Sequence, residues 1–108
     1  MTLNEYQELA MRTAPSTPTY SESLKLACLG LAGETGEFCD TMKKMFYHGH
    51  SPDIAALVEE LGDILWYVTY ATEVLGITLD AVAALNIAKL RRRYPDGFSN
   101  ERSINRED

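Results

Sequence analysis

The chain has 108 residues, 45% of them hydrophobic, and a formal net charge of −6. That length bounds it to one domain with a modest core, and the ordinary apolar fraction excludes a chain disordered over most of its length. The acidic balance excludes a general nucleic-acid binder, which needs a basic surface, although a bound cation would still let it take one phosphorylated small molecule.

Cys28 and Cys39 form no CxxC pair and read as two reduced thiols of a cytoplasmic protein. The opening residues, MTLNEYQELAMRTA, are polar and amphipathic rather than a secretory leader. The most apolar stretch, 64–79, contains Glu73 and is too short and mixed to span a bilayer. The expectation is a soluble cytoplasmic domain engaging neither nucleic acid nor membrane.

Four helices follow in chain order. The first covers about 2–13, with Thr2 as N-cap and Glu5 at the capping-box spacing, and the segment holding Pro15 and Pro18 ends it. Ser21 or Ser23 is expected to cap the second, which continues to Tyr47 with a stripe of Leu24, Ala27, Cys28, Leu31, Phe38, Met42 and Met45. His48-Gly49-His50-Ser51-Pro52 breaks the chain, and Ser51 is expected to cap a third helix that Pro52 opens. That helix carries Ile54, Leu57, Val58, Leu61, Ile64, Leu65, Val68, Ala71 and Leu75 and stops at Gly76. Thr78 or Asp80 starts the fourth, which runs to Tyr94-Pro95. The predicted fold class is all-α: a four-helix bundle-like domain over 1–98 with short loops and antiparallel neighbours, then a polar, loose tail over 99–108.

The second helix contains a defect. Where its apolar stripe steps from Leu31 to Phe38, the intervening position is Glu34, with Glu37 three residues on, about 60° further round the same side. The third helix repeats the spacing with Glu60 and Asp63. In an antiparallel hairpin, residues at one height have numbers of constant sum. Glu34 with Asp63 and Glu37 with Glu60 share a sum that puts the fold between His48 and Gly49, where glycine and proline independently place the loop. Gly36 and Gly62 lie almost level too, which predicts a close approach of the helices or space for a ligand, since mid-helix glycine costs about 1 kcal/mol against alanine.

Four converging carboxylates cannot all ionise without a cation, so either protons are taken up or a metal is bound. Oxygen-only donors favour Mg²⁺, with Mn²⁺ as the alternative. Di-iron bundles use Glu-x-x-His, which this chain lacks, and His48 and His50 sit in the turn.

These residues have a familiar setting. Glu34-Thr-Gly-Glu37, followed after a hairpin by Glu59-Glu60-Leu-Gly-Asp63-Ile-Leu-Trp, resembles the MazG-like nucleoside triphosphate pyrophosphohydrolases, an all-α group. The block from Asn86 through Lys89, Arg92, Arg93 and Pro95 to Phe98 is similar to that family's C-terminal Asn-x-x-Lys-Leu-x-x-Arg segment. Gly33 stands where many members carry a further acid, which removes any fifth carboxylate and keeps the four metal ligands Glu34, Glu37, Glu60 and Asp63. The resemblance implies hydrolysis of a nucleoside triphosphate to the monophosphate and pyrophosphate, in a homodimer or a dimer of dimers with a site near the subunit interface.

In that setting Glu37 or Glu60 is the candidate general base toward water. Asn86, Lys89, Arg92 and Arg93 are the candidate substrate-binding residues, although basic groups in a final helical turn also complement the helix dipole unaided. Lys43 and Lys44 read as a solvated face. Trp66 and Tyr67 fit core or interface packing better than stacking on a base, and Tyr6, Gln7 and Tyr20 are weaker candidates for a base pocket. The third helix is apolar nearly all round over 64–72, which predicts self-association. The alternatives are a pyrophosphatase confined to dCTP, dUTP or phosphoribosyl-ATP, and a non-catalytic helical interaction module.

Overall fold

The computed structural model describes residues 1–107. Helix α1 (Leu3–Ala10) runs into a 3₁₀ turn (Met11–Thr13) and is followed by α2 (Tyr20–Tyr47), α3 (Ile54–Val74), α4 (Leu79–Arg93) and α5 (Asn100–Ile104). Each α-helix begins on a side-chain oxygen that accepts the backbone N–H three residues on: Thr2, Thr19, Asp53, Thr78 and Ser99 in turn. Two of these caps differ from expectation. Thr19, not Ser21 or Ser23, caps α2, and Asp53, not Ser51, caps α3, leaving Pro52 outside the helix. In both places the cap is the first residue after a proline whose side chain can accept the bond. The tail also differs, since residues 100–104 form a short helix. Arg102 Nε donates to the Arg93 carbonyl at 2.9 Å and ties α5 to the end of α4.

The long elements make an antiparallel hairpin of α2 and α3, and among the described residues α2 has its one extensive interface with α3. Gly30 and Tyr67 fix its register. A Cβ on Gly30 would lie 2.0 Å from Cε1 of the Tyr67 ring, so only a residue without a side chain leaves that ring its place against α2. Gly30 and Tyr67 have the same number sum as Glu34 with Asp63. Gly36 and Gly62, by contrast, face open space, so neither serves a close approach.

Helix α1 packs across α3 and α4. Buried Gln7 fastens it there: its Nε2 donates to Glu73 Oε2 (2.7 Å) and to the Ile77 carbonyl (3.1 Å), and its Oε1 accepts from Leu79 N–H (2.6 Å). Trp66 Nε1 donates to Ala10 O (3.2 Å) and Thr13 Oγ1 (2.9 Å), which fixes the 3₁₀ turn. At the end of α3, Ile77 N–H bonds back to Thr72 O and Gly76 N–H to Glu73 O, with Gly76 at φ 74°, a left-handed helix stop that glycine adopts without strain. The chain then turns by 101° into α4. Helix α4 therefore crosses α3 instead of completing an antiparallel four-helix bundle. No single helix among the described residues is long and apolar enough to cross a membrane.

The core is small. Among the described residues only Ala27, Tyr70 and Leu79 are buried apolar side chains, joined by Gln7, Thr69 and Thr72. The two threonine hydroxyls donate to carbonyls four residues back, so their burial leaves no orphan. Ile54, Val58, Leu61 and Leu65 stay exposed, at 69%, 60%, 51% and 39% of full accessibility. Their three- and four-residue spacing makes one apolar stripe on the side of α3 turned from α2. The surplus lies in the first half of α3, ahead of the 64–72 run in which sequence pattern placed it, because α1 and α4 cover much of that later run. Cys28, expected on the core stripe, is exposed, as is Cys39, and both are free thiols.

Candidate metal centre

The stripe defect in α2 and the acidic pair in α3 meet. Glu34, Glu60 and Asp63 each offer a carboxylate oxygen, and these three atoms lie within 4.8 Å of one another. An octahedral Mg²⁺ with oxygens at about 2.1 Å sets them roughly 3–4 Å apart, so small rotations close this set on an ion. Glu34 and Glu60 are half-buried and Asp63 is exposed, which leaves one side of the cluster open. Glu37 lies outside the three-oxygen set. Its charge nonetheless acts on Glu60, as the shared register requires.

The electrostatics show a charge deficit. Desolvation, then the charges of Glu37, Asp63, Glu34 and Glu59, raise the proton affinity of Glu60 above the ordinary glutamate value. Among the described residues no ion pair involves these carboxylates. The two ion pairs, Lys43 and Lys44 with Asp40 at 3.1 and 2.8 Å, lie further along α2. The lysines that follow the first motif are thus engaged on their own helix. A hard cation fits the donor set: all oxygen, converging, and short of positive charge.

Of the aromatic candidates, Tyr6 is the one whose titration responds to the cluster. Burial first, then the charge of Asp63, raises its phenol above the ordinary tyrosine value. Sequence gave no sign of this, because α1 reaches the site only through its contacts with α3 and α4. Trp66 and Tyr67 are spent on packing, Trp66 against α1 and Tyr67 against Gly30. Gln7 is a latch between helices rather than a pocket wall, and Tyr20, the first residue of α2, is exposed.

Asn86, Lys89 and Arg92 line one groove of about 710 Å³, together with apolar Leu3, Leu65 and Val82. Arg93 faces a different pocket, at the end of α4. None of the four carboxylates lines the groove. Leu65 follows Asp63 by two residues, which is about 160° round the axis of α3. Within one chain, therefore, the groove and the carboxylate cluster open on different sides of the same helix.

The sequence pattern of the MazG nucleotide pyrophosphohydrolase domain matches residues 22–98, a span holding every one of these carboxylates and the Asn86–Arg93 block. The chain belongs to that family. It is also 32% identical over 92 residues to the Gene 37 protein of Mycobacterium phage L5, a match covering 79% of this chain and 78% of that protein. No solved structure matches it. Members of the MazG family are metal-dependent, in keeping with the acidic cluster between α2 and α3.

Proposed function

We propose that the chain hydrolyses nucleoside triphosphates, in ribo or deoxy form, to the monophosphate and pyrophosphate in a Mg²⁺-dependent reaction. The observation that carries this is the convergence of Glu34, Glu60 and Asp63 from facing helices in a MazG-family chain. Bound Mg²⁺ would offset the phosphate charge and acidify a water molecule. Glu34, Glu60 and Asp63 would hold the cation. Glu37, level with Glu60 and outside the three-oxygen set, takes the proton from water as the water oxygen bonds to phosphorus and the α–β anhydride bond breaks, leaving pyrophosphate. Lys89 and Arg92 hold the departing phosphates through charge-assisted hydrogen bonds, and Asn86, one turn before Lys89, orients the sugar or phosphate.

Assembly belongs to the proposal. The uncovered stripe Ile54–Val58–Leu61–Leu65 supports docking of a second copy. Because groove and carboxylates open on different sides of α3, we infer that Asn86, Lys89 and Arg92 serve the carboxylates of a partner copy. A homodimer satisfies this, and a dimer of dimers repeats it.

The test is incubation with a panel of ribo- and deoxynucleoside triphosphates and Mg²⁺, followed by assay of monophosphate and pyrophosphate. Cleavage that Glu60→Gln and Asp63→Asn abolish is the expected result. Cleavage unchanged in those variants would remove the site assignment, and no cleavage with no Mg²⁺ binding by calorimetry would favour a non-catalytic helical module.

A further inference from the structure

Helix α1 has eight residues, and isolated helices shorter than about 12–15 residues are marginal in water, so docking keeps it helical. Its outer apolar side chains add little, since Leu3 and Leu9 stay 42% and 51% exposed. Its polar side chains converge on the start of α4. A helix begins with N–H groups that lack a partner within the helix. In α4 the Ala81 N–H donates to Thr78 of its own cap, at 3.1 Å. The Leu79 and Asp80 N–H groups donate instead to Gln7 Oε1 (2.6 Å) and Asn4 Oδ1 (3.2 Å). Helix α1 therefore completes the N-terminal cap of α4 from outside it. The same Gln7 donates to Glu73 near the end of α3 and to the Ile77 carbonyl beyond it, so one buried side chain spans the 101° corner. Leu3, Asn4 and Gln7 share one face of α1, and Leu3 is a wall of the groove that holds Asn86, Lys89 and Arg92.

The carboxylate cluster is built differently. Glu34, Glu60 and Asp63 stand on α2 and α3, whose mutual interface is extensive. Exposed residues 14–16 separate α1 from the point where the Thr17 and Ser23 hydroxyls hydrogen-bond and the chain enters α2. A displacement of α1 thus hinges ahead of the hairpin. We propose that Gln7, with Asn4 beside it, is a positioning residue of the groove: capping α4 from α1 fixes where Asn86, Lys89 and Arg92 stand, while the carboxylate cluster keeps its shape without that cap. The inference rests on the reading of this groove as the substrate's phosphate site.

The experiment compares the full wild-type chain with Asn4→Ala, Gln7→Leu, Gln7→Glu, and Gln7→Glu paired with Glu73→Gln. The pair rebuilds the bond across the corner with donor and acceptor exchanged. In hydrogen exchange read by NMR, Gln7→Leu should speed the amides of Asn86, Lys89 and Arg92 at least several-fold more than those of Glu60 and Asp63. KM for a nucleoside triphosphate should rise about tenfold or more, because only the fraction with α4 in place binds, while kcat and Mg²⁺ affinity by calorimetry hold. Asn4→Ala, losing one longer bond, should do the same to a lesser degree. Gln7→Glu should match Gln7→Leu, and the paired variant should recover most of the KM, a rescue that general destabilisation does not give. Exchange that stays slow in α4, or that quickens equally in the α2–α3 hairpin, overturns the proposal, as does a KM that Gln7→Leu leaves unchanged. A wild-type chain that cleaves no triphosphate removes the groove's substrate assignment instead, and exchange alone then decides whether Gln7 holds α4 in place.

Discussion

Mixing two disabled chains tests the inferred sharing of the site between copies. A folded monomer of 12.1 kDa is expected to expose about 6,000 Å², with a radius of gyration of about 13 Å. This chain exposes 7891 Å², with a radius of 17.1 Å. The excess, about 1,900 Å², is more than twice the roughly 800 Å² each partner buries in a standard interface, and counted on both partners, at about 3,800 Å², falls in the obligate range. Light scattering at micromolar concentration should therefore find a dimer or tetramer. On the proposed function Asp63→Asn removes a cation ligand and Lys89→Ala a phosphate contact, so each alone should cost at least about a hundredfold in turnover. If the lysine acts across the interface, a heterodimer of the two variants restores one intact site. Random pairing at equal amounts makes half the dimers mixed, so co-expressed chains should recover about one quarter of wild-type activity. If groove and carboxylates act within one chain, every site keeps one lesion and nothing is recovered. A mixture no more active than its components, or a monomer in solution, refutes the inference.

Glu37→Gln should abolish turnover while Mg²⁺ affinity by calorimetry changes little, whereas Glu60→Gln should lose both; equal loss of Mg²⁺ binding in the two would make Glu37 a ligand instead. The metal-free folded chain keeps a proton on Glu60 at a pH where the unfolded chain has released it, so Tm in EDTA should fall as pH rises from the ordinary glutamate value through the raised one. Glu60→Gln should shrink that fall, and a Tm that rises through this window in both proteins would contradict the charge deficit. Gly30→Ala should destabilise by about 1–3 kcal/mol through collision with Tyr67, while Gly36→Ala, in open space, should stabilise by up to about 1 kcal/mol; urea denaturation reads both. Gln7→Leu strands the Leu79 N–H and the Ile77 carbonyl and should cost about 1–3 kcal/mol by the same measurement.

Much of this was legible because the information was local. Periodicity and proline placed the helices, and the constant-sum rule fixed the height of each carboxylate against its partner before any contact was known. The Gly30–Tyr67 contact obeys the same register although neither residue entered that reasoning. The misplaced caps at Ser51 and at Ser21 or Ser23 have a local cause too, since in each place the first side-chain acceptor after the proline won. Gln7, Tyr6 and Arg102 were not legible as they act here. Each works through a contact distant in sequence, and a polar residue on a short amphipathic helix or in a tail looks the same whether it is a latch or solvated.

Height along a helix and position around it are separate facts, and sequence constrained them unequally. Pairing residues by sum says which side chains are level. It says nothing about the 101° turn into α4, which carries the Asn86–Lys89–Arg92 face round to the far side of α3 from the carboxylates. Had α4 returned antiparallel, as short loops suggest, one chain could have gathered cation ligands and phosphate ligands on one face. The perpendicular turn instead leaves the exposed stripe of α3 bare and separates the groove from the carboxylates. A second copy on the bare side would cover the apolar stripe, while the carboxylates, on the opposite side of α3, would take a groove from a copy docked on their own side. The same geometry that makes the isolated chain short of a core thus supports a catalytic site shared between copies.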